Sequence, residues 1–482
     1  MMTWLSEPTR DLARRLAHSA NNGITLTGVV LTTASGISLV WFWFLELSSP
    51  RAVNPYLGIL LFMVLPGLFL LGLALIPLGL WRRRKQQMKA GPLPTEYAPL
   101  DLHSPTTRRL IILLGLATAA NIAILGTAGF KGIEYMDSNK FCGLTCHTPM
   151  APEYTAFLNS PHSRVGCAQC HIGAGADWFV KSKLSGVHQV FAVTFGTYHR
   201  PITSPVESLR PARETCEQCH WPQKFTGDKL IIRTKYAEDE ANTATTSVLL
   251  LKIGGVTAQG QVGIHGRHLD TSARIRYVHT DPKRMTIPKV LYRDTSGQMI
   301  EFLAGDAKPT ELAAGRERSM DCIDCHNRPT HAFEAPERAL DKAMMNGTIS
   351  AGLPFVRKQA LDVLKAGYPD QATAGREIPE RLTSFYRERY PIVFAQKRPL
   401  VDQAADTVKA IYLRNVFPEM KLDWGEHKNL IGHEDSPGCF RCHDGSHTTK
   451  DGRMIEADCN ACHTILAQDE KDPKILKDLG IR

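Results

Sequence analysis

Three apolar runs dominate the first 130 residues, at about 24–45, 56–81 and 110–130. None contains Asp, Glu, Lys, Arg or His. At 1.5 Å of rise per residue, each is long enough to cross about 30 Å of hydrocarbon. The pattern predicts transmembrane helices at 24–46, 56–81 and 110–130. Trp41, Trp43, Tyr56 and Trp81 sit near the run ends, where amphipathic rings favour the interface. Pro66 and Pro77 are expected to kink the second helix. The first run is too long for a signal peptide, and no small-residue cleavage site follows Trp41–Leu47, so it reads as an uncleaved anchor.

Beyond residue 130 the pattern changes. Residues 131–229 show little periodicity. Within 230–317, Val248–Ile253, Ala273–Val278 and Lys289–Tyr292 read as strands of a small β-rich insertion. Residues 336–430 read as helical: Val401, Ala404, Ala405, Val408, Ile411 and Tyr412 follow i, i+3, i+4, i+7 spacing. Pro379, Pro391 and Pro399 are expected to separate the helical pieces. Residues 466–482 form a short C-terminal tail.

The chain has 482 residues, 43% hydrophobic and 22% charged, which excludes disorder as the main state. The net charge is +9, but 82–109 alone carries a net +5 and the tail 1–23 a net +1. Both flank apolar runs, so the charge is a topology signal rather than a polyanion-binding face. The positive-inside rule places 1–23 and 82–109 in the cytoplasm and everything after 130 outside the inner membrane, in the periplasm. No histidine lies in a span; His18 and His103 are both outside. A b-type haem between membrane helices is therefore not expected, and a membrane-soluble substrate must react at the outer interface.

Twelve cysteines, all after residue 141, form six pairs. Cys167/Cys170, Cys216/Cys219, Cys322/Cys325, Cys439/Cys442 and Cys459/Cys462 are C-x-x-C; Cys142/Cys146 is C-x-x-x-C. A histidine follows every second cysteine: His147, His171, His220, His326, His443 and His463. C-x-x-C-H attaches c-type haem, because two thiols meet two vinyl groups on one porphyrin edge and the next imidazole reaches the iron. Zinc needs no adjacent histidine, and six of six by chance has a probability on the order of 10⁻⁹. The sequence thus predicts six c haems, the first in a motif where Gly143 lets one extra residue bulge. That site has an alternative reading as a single thioether or an unusual iron site. Haems 1–3 fall in 131–229, haem 4 in 318–335 and a close pair, 5 and 6, in 431–465. Candidate distal ligands are His265, His268, His331, His433 and His447, together with His162 and Met150.

The run FCGLTCHTPMAPEYTAFLNSPHSRVGCAQCH at 141–171 resembles the NapC/NirT/NrfH family of membrane-anchored quinol-oxidising cytochromes. The motif at Cys322–His326 followed by His331 is similar to the family's fourth. The resemblance covers about 110–229 and 318–335. The remaining features look like the larger inner-membrane members of metal-respiring bacteria, including the ImcH type. The resemblance implies Met150 as axial ligand of the first haem, His162 for the fourth and His331 for the second. It also implies Lys181 or Lys183 at a quinol site. The family's nearby acidic residue is missing from Leu184–Phe191, where His188 is the nearest titratable side chain. Position alone assigns His265 or His268 to the third haem and His433 and His447 to the last pair.

The expected fold is a membrane-anchored multihaem cytochrome c: three N-terminal transmembrane helices, then a mainly α/irregular haem-packed periplasmic domain with a small β-rich insertion. The expected function is a menaquinol or ubiquinol dehydrogenase. It would pass electrons from the membrane quinol pool to a periplasmic cytochrome or reductase, in anaerobic respiration of metals or nitrogen oxides. Two alternatives stand beside it: a haem-relay subunit of a larger membrane complex with quinol bound elsewhere, and a terminal multihaem reductase. No C-x-x-C-K motif supports the latter, and nucleic acid is not an expected partner.

Overall fold

The computed structural model describes residues 22–48, 64–90, 105–145, 147–173, 175–206, 209–257, 260–269, 274–294 and 296–481. Most of the expected cytoplasmic tail, the start of the second apolar run, residues 91–104 of the basic segment, and Cys146 lie outside the described residues. The chain divides into two compact units, Met1–His147 and Thr148–Arg482.

The first unit holds three long helices on the three apolar runs: α1 (Gly23–Ser48), α2 (Leu65–Ala90) and α3 (Pro105–Met136). Among the described residues, Gly23–Trp41 and Leu65–Lys89 are long and apolar enough to cross a membrane. Pro66 stands in the first turn of the described helix, so of the two prolines only Pro77 is interior. α2 continues through Arg82–Lys85 to Ala90, so the start of the basic segment is helix rather than loop. α1 and α2 pack backbone to backbone because small residues line their contact. A Cβ on Gly28 would lie 2.7 Å from the Gly72 carbonyl oxygen, and one on Gly72 2.7 Å from the Thr32 amide nitrogen. The buried Thr32 hydroxyl donates back to the Gly28 carbonyl at 2.8 Å, so no polar group is stranded.

α4 (His147–Leu158) leads into the second unit, followed by α5 (Cys167–His171), α6 (Ala176–Thr194) and α7 (Ala212–Cys216). The helical character of 147–194 exceeds the sequence expectation. β1 (Lys229–Tyr236) and β2 (Ala244–Leu251) form an antiparallel pair. β3 (Gly255–Thr257) and β4 (Gly260–Val262) make a small hairpin that runs straight into α8 (Gly263–Leu269). A four-stranded sheet follows in the order β7-β6-β5-β8, from β5 (Ile275–His279), β6 (Lys289–Arg293), β7 (Met299–Leu303) and β8 (Arg316–Ser319). The short α9 (Pro309–Ala314) precedes β8.

Helices α10 (Pro336–Met345), α11 (Val356–Leu364), α12 (Gln371–Arg389), α13 (Pro391–Gln396) and α14 (Arg398–Asn415) enclose the largest apolar core. The periodic set Val401, Ala404, Ala405, Val408, Ile411 and Tyr412 is buried there. Pro391 and Pro399 begin helices, as expected of a ring that fixes φ. Pro379 breaks nothing and lies inside α12. The residue four before it is Gly375, whose missing side chain eases accommodation of the ring.

After α15 (Cys459–Cys462), β9 (His463–Glu470) adds to β2, completing a sheet in the order β1-β2-β9; α16 (Lys474–Asp478) follows. The β-rich insertion is therefore not self-contained: the segment after the last motif supplies a strand. Asn242, at the β1–β2 turn, donates to the Ala351 and Leu353 carbonyls at 3.0 and 2.8 Å and so ties this sheet to the helical core. Arg357 pairs with Asp341 at 2.8 Å in the same junction.

Leu382 is fully buried among helices that hold no cysteine motif. Leu382→Ala is expected to lower the opening free energy of residues 371–415 by about 2–5 kcal/mol. Native-state hydrogen exchange measures it, and the haem spectrum should stay unchanged.

Candidate haem-binding sites

Each C-x-x-C-H motif is one tight turn. The backbone N–H of His220, His326 and His443 donates to the carbonyl of the first motif cysteine at 2.8, 2.8 and 3.0 Å. That of His463 does the same to Cys459, and Cys167–His171 is itself a helical turn. Residues i and i+3 of such a turn share a face, so both thiols point the same way. The first motif differs in the way its extra residue requires: Phe141–Thr145 is a π-helical turn, which takes one more residue per turn, with Gly143 buried.

Five motif histidines face a second histidine. Ring centres are 6.2 Å apart for His171 and His331, 6.0 Å for His220 and His162, and 6.3 Å for His326 and His265. They are 5.9 Å apart for His443 and His268, and 6.2 Å for His463 and His433. An iron bonded to one nitrogen of each imidazole, at about 2 Å, sets ring centres about 6 Å apart. The pairs therefore fit the two axial positions of a haem.

The other ring nitrogens orient the rings. His331 donates from Nδ1 to the Glu153 carbonyl at 2.9 Å. The Glu153 carboxylate also lies against that ring at 3.2 Å and is gripped by Arg328 at 2.9 Å. His162 donates to the Pro329 carbonyl, His268 to Ile264 and His443 to Glu456, at 3.3, 2.8 and 2.6 Å. A ring whose Nδ1–H is so engaged offers the Nε2 lone pair to a metal. Burial pushes His171, His265, His268, His326 and His463 below the usual imidazole range, which keeps them neutral. Among the described residues, no hydrogen-bond partner reaches the buried Nδ1 atoms of His265 and His463. Phe225 packs on His265, Phe440 stacks on His433 at 4.3 Å, and Arg233 pairs with the adjacent Glu434.

The cysteines fit thioether attachment better than a metal-thiolate site. Cys170, Cys216, Cys219, Cys322, Cys325, Cys439, Cys442, Cys459 and Cys462 are not in disulfides. Burial pushes the Cys325 thiol up to about 11 and that of Cys442 up to about 12. Among the described residues no three or more His, Cys, Asp or Glu side chains converge on a metal-sized site.

The pairing revises several sequence expectations. His162 faces the third motif, not the fourth. His265 faces the fourth motif and His268 the fifth, rather than the third. His433 faces the sixth. His447 faces none: it is 2% exposed, with Nε2 at 2.8 Å from the Ile287 carbonyl and Nδ1 at 3.1 Å from Asp444, so neither nitrogen is left for an iron. One helical turn of α8 carries both His265 and His268, which makes the fourth and fifth motifs close neighbours. The fifth and sixth motifs, joined by the short linker between Cys439 and Cys459, also adjoin: burial, then nearby Cys439, pushes the Cys462 thiol up.

The sequence also left one buried hub unseen. Asp324, inside the fourth motif, accepts from Tyr277 Oη at 2.7 Å, Arg284 at 2.6 Å and Arg318 at 3.0 Å. Burial, then Asp324, pushes the Tyr277 hydroxyl pKa up. Arg441 of the fifth motif donates to the Asp324 carbonyl at 2.5 Å and so locks the two motifs together. Glu153 and Arg328 are likewise placed by the structure alone. Their one sequence signal is closeness to His147 and His331.

The remaining expectations are less concentrated. Met150 is half-buried on α4, and the His147 side chain lies outside the described set. Lys181, Lys183 and His188 all lie on α6, but Lys181 and His188 share one flank while Lys183 is on the other. The Lys181 Nζ sits over the Trp178 ring at 4.5 Å and the Lys183 Nζ over Phe179 at 4.8 Å.

Comparison with known proteins follows the same lines. Residues 104–205 match the N-terminal region of the NapC/NirT cytochrome c family. Over 459 residues, the chain is 41% identical to the cytochrome c-type protein ImcH of Geobacter sulfurreducens, covering 94% of this chain and 90% of that protein. No solved structure matches it.

His268→Ala is expected to convert one low-spin ferric haem to high-spin, read by electron paramagnetic resonance of the oxidised protein. His447→Ala should leave the low-spin count unchanged. The opposite pattern would reinstate His447 as a ligand.

Proposed function

The chain belongs to the NapC/NirT cytochrome c family, as a relative of the ImcH cytochromes, and on that premise we propose that it is an inner-membrane quinol dehydrogenase with six c-type haems. Electrons leave the membrane quinol pool at the outer interface and reach a periplasmic acceptor. The observation that carries the reading is the set of five facing histidine pairs beside C-x-x-C-H turns. Bound haem supplies a reversible one-electron change at each iron.

The chain's own residues do the rest. Each motif turn would hold a haem through its cysteines, and the five facing histidine pairs would supply two ligands to each of five irons, leaving those positions closed. Closed positions favour electron transfer over reduction of a small molecule at iron, which argues against a terminal reductase. The first motif is set apart by its π turn. His147 or Met150 would ligate the iron there, and as the motif that follows the last apolar helix it would hold the haem nearest the quinol. On α6, Lys181 orients the quinol head by hydrogen bonding. Asp177, one turn earlier on the same helix, would take its proton.

The split of Lys183 from Lys181 and His188 favours a second reading: a relay subunit, with quinol bound on another chain. Anaerobic mixing of the oxidised, haem-loaded protein with a reduced menaquinol analogue separates the two. Quinol dehydrogenase activity predicts fast haem reduction, slowed about tenfold or more by Lys181→Ala, with full reduction by dithionite unaffected. Reduction by dithionite but not by quinol would establish the relay.

A further inference from the structure

Among the described residues, one face of α6 is apolar and exposed to solvent. Val180, Leu184, Val187 and Phe191 recur at i, i+4, i+7 and i+11, which places them on one stripe. Leu184 is 67% exposed and Phe191 59%; Phe195, just past the helix, is 71% exposed and stacks on Phe191. Trp178, Phe179, Ser182 and Val193 lie half-buried on the other side. A soluble surface rarely leaves so continuous an apolar stripe in water.

We propose that α6 lies in the plane of the membrane interface, with this stripe seated in the bilayer at the headgroup–acyl boundary. Four observations select lipid as the occupant. The chain already carries helices long and apolar enough to enter a bilayer, so that apolar phase is at hand. Lys181 and Lys183 flank the stripe on its two sides, each turned onto an aromatic ring of the same helix that lies outside the stripe, Trp178 and Phe179, which lifts the ammonium groups away from the apolar side. The helix carries these two lysines against Asp177 alone, a balance that complements anionic headgroups. The stripe from Val180 to Phe195 runs about 22 Å at helical rise, longer than one porphyrin, so a single haem does not cover it. The proposal rests on membrane anchoring and not on quinol oxidation. Where both hold, the interfacial helix brings Lys181 to the depth at which a quinol head emerges from hydrocarbon.

The test uses the full-length, haem-loaded protein in vesicles of phosphatidylethanolamine and phosphatidylglycerol. A diazirine-bearing phospholipid is photolysed in the bilayer and its adducts are mapped by mass spectrometry on the unsubstituted chain. In parallel, Leu184→Cys and Gln189→Cys, on opposite faces of α6, are exposed to a water-soluble maleimide. The proposal predicts adducts within 180–195 and alkylation of L184C about tenfold slower than that of Q189C. No adducts in 180–195 overturns it. In that case fast L184C alkylation would place the stripe in water, and slow alkylation would place it under protein or haem. Neither readout depends on quinol turnover, so this test can fail while the dehydrogenase reading stands.

Discussion

A ring-centre separation near 6 Å between two imidazoles is the constraint on which the rest of this protein depends. It must be met at five places, by residues the chain supplies from far apart: His171 against His331, His268 against His443. No short-range preference produces such pairs. They exist because sheets and buried polar contacts bring distant segments into register. β9 begins at His463 and pairs with β2, whose Leu251 lies opposite it; β3, β4 and α8 follow soon after, with His265 and His268. The strand that looked like a tail is what carries the sixth motif to that region.

The distribution of apolar burial follows from the same constraint. Among the described residues, the largest hydrophobic core lies in the helices from 336 to 415, which contain no motif. Around the motifs, residues are mostly half-buried, and polar locks take the place of apolar packing: Asp324 with Arg284 and Arg318, Glu153 with Arg328, Arg441 on the Asp324 carbonyl. Where planar groups fill the interior, there is little room for aliphatic side chains to interdigitate. Directional hydrogen bonds then hold the ligands in place, in the way second-shell contacts orient metal ligands elsewhere.

Local features were legible in the sequence, and long-range ones were not. The cysteine motifs, the three apolar helices, the strands near 248, 275 and 290 and the buried face of α14 each follow from spacing over a few residues. The pairing of His162, His265 and His268 does not, because nearness in sequence to a motif says nothing about which ring faces which. His447 shows the same failure from the other side: close to Cys442 in sequence, it is spent on Ile287 and Asp444. Pro379 misled because a ring that normally ends a helix is tolerated in α12. The stripe on α6 is local too, since Val180, Leu184, Val187 and Phe191 follow helical spacing.

Near-infrared magnetic circular dichroism of the oxidised whole protein tests the central account most directly, because its charge-transfer bands report the axial ligands of each ferric haem. The account predicts an intensity equal to five bis-histidine haems per chain, with the first haem contributing a different signal. Fewer than five would contradict the histidine pairing from which the rest of the reading is built.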